Sequence, residues 1–200
     1  MSARFTHAFG YGSLVNAATH GWAVAPATLA GWRRRWRAGR GRRWAFLDVE
    51  PAPGTRIEGA LVGIPDHGWD ALAEREAAYD PHHTPPEALR PAPPAARVCL
   101  WVTRPEVTGG AAARAEAEAA ILLSYLDTVI EGYLALFGAA GAARFWATTG
   151  GWERAVIDDR AAPIYRRATR PDAEVRRLVD DALAGLGIAP RPLPGAGRGA

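Results

Sequence analysis

The sequence contains no lysine, and all 24 of its basic residues are arginine. The chain is also crowded with alanine, glycine and proline, a combination that a GC-rich coding sequence imposes whatever the protein does. Its net charge of +3 is a small surplus, which is normal for a soluble domain. The charge therefore gives no argument for an acidic partner.

Cysteine and long apolar runs are scarce as well. Cys99 is the single cysteine, so the chain cannot form an internal disulfide. Residues 1–7 lack the charged segment followed by a long apolar run that is typical of a secretion signal. The most apolar stretch, residues 119–129, is interrupted by Asp127 and then by Glu131, well short of the roughly 20 apolar residues that a membrane span needs. We therefore expect a cytoplasmic protein that does not cross a membrane.

The length and the order of the patterns indicate the fold class. Two hundred residues are enough for one domain with its own core. Strand patterns fill the first hundred residues and helix patterns the second, which favours an α+β domain over an alternating doubly wound sheet. We expect a small mixed β-barrel-like sheet with flanking helices. This single domain would occupy residues 1–189, and residues 190–200 would form a flexible C-terminal tail.

Individual elements follow from periodicity and from the turn residues between them. Strands are predicted over residues 6–11, in two segments between 27 and 47 that turn at Gly39 and Gly41, and over 57–64 and 97–103. The stretch 80–96, rich in proline and histidine, predicts a loop. Helices are predicted over 69–79, 111–137 and 171–186, with Gly138 and Gly141 separating the long one from a short helix that ends near 146.

The most distinctive local feature is the segment from Phe9 to Leu14, which reads Phe-Gly-Tyr-Gly-Ser-Leu. A strand pattern runs there into a turn with two glycines and a hydroxyl, which leaves backbone N–H groups free to converge on an anion. A two-glycine turn is equally common without any ligand. Ser13 lacks the Gly-x-Ser-x-Gly elbow of a serine nucleophile and an identifiable partner, so we expect a binding hydroxyl there.

A glutamate shares the apolar face of the first predicted helix. Trp69, Leu72 and Glu76 stand at i, i+3 and i+7 and so lie near one face. Burial beside Trp69 and Leu72 would raise the pKa of Glu76 by desolvating its charged form, as a general acid and base requires. A surface glutamate paired with Arg75 or Asp80 is the alternative that these residues leave open.

Together the two segments resemble the γ-glutamylcyclotransferase superfamily, which includes the ChaC-type enzymes that degrade glutathione. In that family a Tyr-Gly-Ser-Leu or Tyr-Gly-Ser-Asn loop follows the first strand, as residues 11–14 do here. A glutamate in a Leu-x-x-x-Glu segment comes after a later strand and turn, as in residues 72–76. The strand predicted at 57–64 occupies the position of the family's Glu-Gly segment. In the second half, only a helix bearing Tyr125 and Tyr133 agrees.

The resemblance implies a γ-glutamylcyclotransferase-like fold and an enzyme that needs no cofactor and no metal. Such an enzyme converts a γ-glutamyl amide into 5-oxoproline and a free amine. Glu76 would transfer the protons, and Glu74, turned by about 200° along the helix, is the second choice. The substrate-binding residues would be Tyr11, Gly12, Ser13 and Leu14.

Two other functions remain open at this point. The same pocket could belong to a non-catalytic protein that senses γ-glutamyl compounds or small anions. The arginines between Arg33 and Arg43, interleaved with tryptophans, could contact nucleic acid. Nucleic acid is the less favoured partner, because the alternation suits a solvated strand face and the chain carries 21 acidic residues. His82 and His83 lack the spacing of metal ligands, so we expect no metal site.

Overall fold

Two long antiparallel strands organise the molecule, whose computed structural model describes residues 5–39, 42–92, 96–108 and 119–193. The strands are β1 (His7–Gly10), β2 (Val24–Arg37), β3 (Phe46–Gly63), β4 (Tyr79–Thr84), β5 (Leu89–Arg90), β6 (Val98–Thr103), β7 (Ile121–Leu122), β8 (Thr149–Gly150), β9 (Val156–Asp158) and β10 (Arg191–Pro192). The helices are α1 (Trp69–Arg75), α2 (Pro105–Thr108), α3 (Leu123–Ala147) and α4 (Ala173–Gly185). Short 3₁₀ turns occupy Ser13–Val15, Ala17–Thr19, Asp66–Gly68 and Pro86–Ala88.

The main sheet has seven strands and curls into a half-barrel. Its order is β4-β6-β1-β3-β2-β5, and β8 pairs with β2. β1 runs antiparallel to β3 and parallel to β6, so the chain that leaves β1 emerges at the middle of the sheet. A second, three-stranded sheet has the order β10-β9-β7. The predicted α+β class, with a barrel-like sheet and flanking helices, is confirmed.

The core lies between the concave face of the main sheet and α3. Phe9, Trp36 and Leu100 from the sheet and Leu126 and Phe145 from α3 are fully or almost fully buried in one apolar cluster. Burying an aromatic or leucine side chain contributes about 1.5–3 kcal/mol each, so this contact is a main source of stability. The contact also fixes α3 across the sheet, beside the end of β1.

Arg34 differs from the prediction of a solvated, arginine-rich strand face. Arg34 is fully buried on the same side of β2 as Trp36. Its guanidinium donates to Tyr133 Oη at 2.9 Å and to Thr149 Oγ1 at 3.0 Å. Arg34 is thus a structural link between β2, α3 and β8.

Three predicted elements are wrong in extent. Residues 79–84, predicted as helix end and loop, form β4, an edge strand that pairs with β6. The strand predicted at 57–64 is the end of the continuous β3, whose register against β2 shifts between Ala30 and Trp32. The long helix begins at Leu123, after β7, and not at 111; residues 109–118 lie outside the described residues.

Other predicted elements are confirmed. The strands at 6–11 and 97–103 and the helix at 171–186 are present as β1, β6 and α4. The predicted break at Gly138 is also present, because this residue has φ 64° and ψ −171° inside α3. Arg191 and Pro192, at the start of the predicted tail, pair with β9. Residues 194–200 lie outside the described residues, so the flexible tail stays a prediction.

By length and composition alone, helix α3 could span a membrane, because its most apolar 18-residue window has a mean hydropathy of 1.2. Half of that window is buried inside the fold. Its Asp127 is also buried and forms a two-bonded ion pair with Arg160, at 2.7 and 2.8 Å. A core helix has the same properties, and this burial accounts for the apolar composition of α3.

Candidate active site

The segment that follows β1 forms one wall of the site. Gly10 ends the strand, and Ser13–Val15 makes a single 3₁₀ turn in which the amide of Val15 donates to the carbonyl of Gly12. The amides of Gly12, Ser13 and Leu14 donate to no described residue. Such unpaired N–H groups in a tight turn are suited to an anionic ligand.

Both glycines of this turn are required by close packing. A Cβ at Gly10 would lie 2.7 Å from Leu14 Cβ, and a Cβ at Gly12 would lie 2.8 Å from Tyr125 Oη. The same turn contacts α3 through Gly132, where a Cβ would lie 2.7 Å from the backbone nitrogen of Asn16. The loop is therefore held firmly between the sheet and α3.

Glu76 lies opposite this loop. It caps α1 through its amide, which donates to the carbonyl of Leu72 at 2.9 Å, so it retains the helical position that the sequence predicts although α1 ends at Arg75. Only 14% of its side chain is exposed. Leu72 beneath it is fully buried. Glu76 is thus largely buried beside Leu72, although it also pairs with Arg75, as the alternative reading of the sequence expects.

The charge of Glu76 is subject to opposing effects. Burial raises the pKa of its carboxyl above the ordinary value, while Arg75 and Arg167 act in the opposite direction. Arg75 Nε lies 3.3 Å from Glu76 Oε1. No hydrogen bond joins the carboxylate to any side chain or amide in the described part of the chain. A carboxylate in this state is available to exchange a proton with a ligand.

Ser13 is a shared acceptor between the two walls. Its Oγ accepts hydrogen bonds from Arg75 Nη2 at 2.9 Å and from Tyr165 Oη at 2.8 Å. Arg75 is only 6% exposed and also contacts Thr19 Oγ1 at 3.2 Å. The hydroxyl of Ser13 therefore positions neighbouring side chains, and this geometry does not favour a nucleophile.

Two connected spaces separate the loop from Glu76. The inner one, a recess of about 40 Å³, is bordered by residues 9–14. The outer one is a cavity of about 440 Å³, a volume typical of small-molecule sites. Four of the described residues border both spaces: Ser13, Glu76, Tyr79 and Tyr125. Aromatic and basic side chains dominate the outer wall, including Trp44, Phe46, Tyr165 and Arg167.

The fold was compared with solved structures, since the sequence itself matches no protein-family model and no curated protein. A crystal structure of YkqA from Bacillus subtilis superposes with a TM-score of 0.55 at 20% identity, over 72% of this chain and 53% of that one. A structure described as gamma-glutamyl cyclotransferase gives 0.53 at 11% identity, over 88% of this chain and 98% of that one. An uncharacterised Homo sapiens protein, loc79017, gives the same values.

The fold is that of the γ-glutamylcyclotransferases. The chain spans about half the length of YkqA. At identities of 11–20%, these comparisons show that the folds are similar, and they do not show which residues form the site. The resemblance that the sequence predicts, from the turn after β1 and the glutamate after β3, is thus confirmed at the level of the fold.

Within this γ-glutamylcyclotransferase-like fold, the residues predicted to form the site differ in which space they border and in whether their polar atoms are free. Gly12, Ser13, Leu14 and Glu76 all border the inner recess. Tyr11 borders it too, but its hydroxyl donates to the carbonyl of Trp101 at 2.7 Å, so its polar atom is already used. Glu74 is exposed and borders the outer cavity only.

Tyr125 and Tyr133, the two tyrosines on the helix that agrees with the family, have different positions. Tyr125 borders both spaces, and its hydroxyl lies against Gly12. Tyr133 lies behind the loop, where its hydroxyl contacts the carbonyl of Tyr11 at 3.1 Å. Tyr125 therefore lines the candidate site, while Tyr133 supports the loop from the core.

Sequence reasoning misses three further site residues: Arg75 as a buried contact, and Tyr165 and Arg167 as part of the wall. The sequence indicates Arg75 only as a surface partner of Glu76. Tyr165 and Arg167 lie about 150 residues from Ser13 in sequence, in a segment anchored by Asp159, which accepts from the amides of Ser124 and Ile164. No local pattern in the sequence indicates this long-range contact.

The arginine-rich strand offers little free charge to nucleic acid. Arg33 and Arg37 pair with Glu50 on β3, and Arg37 Nε also lies 3.2 Å from Asp48 Oδ2. Arg34 is buried. His82 and His83 are both exposed on β4, and the described residues contain no group of three or more potential metal ligands.

Proposed function

We propose that this protein is a γ-glutamylcyclotransferase, which closes a γ-glutamyl amide into 5-oxoproline and releases the amine, with Glu76 as the proton carrier. The single observation that supports this most is the placement of Glu76. Its buried carboxylate, without a hydrogen bond to a described residue, stands where a small recess under a loop meets a larger cavity.

The reaction suits a site with one mobile proton carrier. The α-ammonium group of the γ-glutamyl end first releases one proton to solvent, and the resulting amine nitrogen attacks its own γ-carbonyl carbon, which forms the lactam C–N bond and a tetrahedral oxyanion. The nitrogen loses its proton to the Glu76 carboxylate. Collapse of the intermediate breaks the original C–N bond as the same proton passes to the leaving amine. One carboxylate serves as base and then as acid.

The loop supports the proposal from the other side. The free amides of Gly12, Ser13 and Leu14 provide fixed donors for the α-carboxylate of the substrate or for the oxyanion. Tyr11 and Leu14 border the same recess and limit its width. Because the nucleophile belongs to the substrate, the protein has only to orient it and manage the proton.

The raised pKa of Glu76 fits both proton steps. A carboxylate with an ordinary pKa is a weak base toward an ammonium group, and burial makes Glu76 a stronger one. Arg75 and Arg167 act against this rise. We propose the cytoplasm as the location, since a chain with one cysteine forms no internal disulfide and so gains no stability from an oxidising compartment.

The direct test is release of 5-oxoproline by Glu76→Gln. Purified wild-type protein is incubated with glutathione, several γ-glutamyl amino acids and a γ-glutamyl alkylamide, and 5-oxoproline is quantified by chromatography. General acid and base catalysis is worth about 10²- to 10⁴-fold, so the glutamine variant should lose at least that lower factor in kcat. Its circular dichroism spectrum should match that of the wild type.

Glu74→Gln is the matched control, since Glu74 is exposed and two residues away on the same helix. We expect it to retain most of the turnover. Full turnover by Glu76→Gln would show that another group carries the proton. Saturable binding of γ-glutamyl compounds without any 5-oxoproline would replace the enzyme by a binding protein.

A further inference from the structure

The outer cavity has a marked surplus of positive charge. Arg42, Arg166 and Arg167 line it, and none of these side chains forms an ion pair or a hydrogen bond with a described residue. Arg75, the fourth arginine, is already compensated by Glu76 at 3.3 Å. Among the described residues, Glu74 is the one further acidic group on the wall. The four arginines and two glutamates of the lining therefore leave a net charge of about +2.

Four arginines outside the cavity are neutralised by the fold itself. Arg33, Arg37, Arg144 and Arg160 each pair with a carboxylate of the fold. Unpaired guanidinium groups that converge on a cavity from two separate segments, residues 42–46 and 164–167, are instead suited to an anionic ligand.

The proposed reaction fixes which part of the substrate meets these arginines. The γ-carbonyl must lie at Glu76, and the glutamyl end lies toward the loop and its free amides. The amine half must then extend into the outer cavity. The γ-glutamyl end brings one ammonium and one carboxylate, which cancel, so the surplus charge acts on the amine half alone.

We propose that the preferred amine half is an acidic amino acid, linked through its α-amino group and carrying two carboxylates. Two carboxylates balance a surplus of about two positive charges, and each planar guanidinium fork can bind one carboxylate with two hydrogen bonds. Arg42 and Arg166 are the residues assigned to this role. The inference rests on the proposed function and names the substrate class of that same site.

Two isosteric dipeptides test the assignment: γ-glutamyl-glutamate and γ-glutamyl-glutamine, which differ by one negative charge at nearly equal volume. We expect kcat/KM for γ-glutamyl-glutamate to exceed that for γ-glutamyl-glutamine by about ten-fold or more, the usual scale for a charge-assisted hydrogen bond. The ratio should fall as salt is raised from about 50 mM to 500 mM, because the arginines are exposed.

Variants then connect the preference to its residues. Arg42→Gln and Arg166→Gln should each reduce the ratio between the two dipeptides several-fold. Arg177→Gln is the matched control, since Arg177 lies on α4 outside the cavity and pairs with Asp181; its ratio should equal that of the wild type. Arg167 is left unchanged, because it also acts on Glu76.

The outcomes separate this inference from the proposed function. Equal rates with both dipeptides, or a ratio that survives both arginine substitutions, would overturn the inference while the release of 5-oxoproline upholds the function. Absence of 5-oxoproline from every substrate would overturn the function. In that case, tryptophan fluorescence titration with the same two dipeptides decides the inference: tighter binding of γ-glutamyl-glutamate supports it, and equal binding overturns it.

Discussion

At the scale of single residues, the balance of charges at Glu76 makes a prediction about pH. Burial raises the pKa of this carboxyl, and Arg167 opposes the rise. Removal of the cation in Arg167→Gln should therefore raise the pKa further. Because the first proton transfer needs the ionised carboxylate, the acidic limb of the kcat/KM profile should move to higher pH in this variant.

Arg166→Gln is the control for this effect. Arg166 lines the same cavity and is also exposed, but it is not among the groups that shift Glu76. Its acidic limb should stay at the wild-type position. Profiles from about pH 4.5 to 9 with one substrate are sufficient, and an equal shift in both variants would mean that the cavity acts only through its total charge.

The residues of the site differ in how far the sequence can reveal them. Gly12, Ser13 and Glu76 stand in short segments with a strand, a turn or a helix face beside them; these local patterns leave alternatives open, and the family resemblance selects the three residues. The buried position of Arg75 escapes such reasoning because arginine is usually exposed. Its burial depends on Ser13 and Thr19, which approach it only in the folded chain.

At the scale of elements, Gly138 breaks α3 with a backbone conformation that side chains avoid. Its φ of 64° with ψ of −171° is essentially restricted to glycine, although no described atom lies within 4 Å of the place that a Cβ would take. Gly138→Ala should thus cost about 1–3 kcal/mol through backbone strain alone. Urea unfolding followed by circular dichroism measures the loss.

Gly185→Ala gives the contrasting case. Gly185 is the last residue of α4, has no positive φ, and also has open space around its Cα among the described atoms. Alanine should be neutral there or stabilise by up to about 1 kcal/mol, because it favours the helix. Equal effects of the two substitutions would show that α3 can straighten at Gly138 without cost.

Errors in the predicted elements have physical reasons. β4 contains Pro81 and two histidines, a composition typical of loops. Proline is nevertheless tolerated on an edge strand, and β4 lies at the edge of the sheet. The apolar run before α3 fits the start of a helix and a short buried strand equally well. Only the pairing of β7 with β9 separates the two.

At the scale of the whole molecule, the site joins the two halves of the chain. Tyr165 reaches Ser13, and Tyr133 contacts the carbonyl of Tyr11, so the second half completes a site that the first half begins. The family resemblance in the sequence is confined almost entirely to the first half. The fold class follows from the order of elements, whereas the wall formed by residues 164–167 depends on tertiary packing.

The buried carboxyl of Glu76 also affects the stability of the whole fold. Its pKa is higher in the folded protein than the ordinary value near 4.5 that applies to the unfolded chain. The folded state therefore holds this proton more tightly, and the protonated form stabilises the fold. As pH rises from the ordinary value through the raised one, that contribution is lost, and at higher pH the loss stays constant.

Glu76→Gln removes this titration while preserving size, so its free energy of unfolding relative to the wild type should increase across that pH window and then level off. Asp48 and Asp127, whose pKa values burial also raises, are present in both proteins and cancel in the difference. Urea unfolding at half-unit steps from about pH 4 to 8 provides the comparison, with Glu74→Gln as an exposed control. A difference that is flat with pH would mean that Glu76 is hydrated in solution, and the same result would remove the physical basis for its role as a proton carrier.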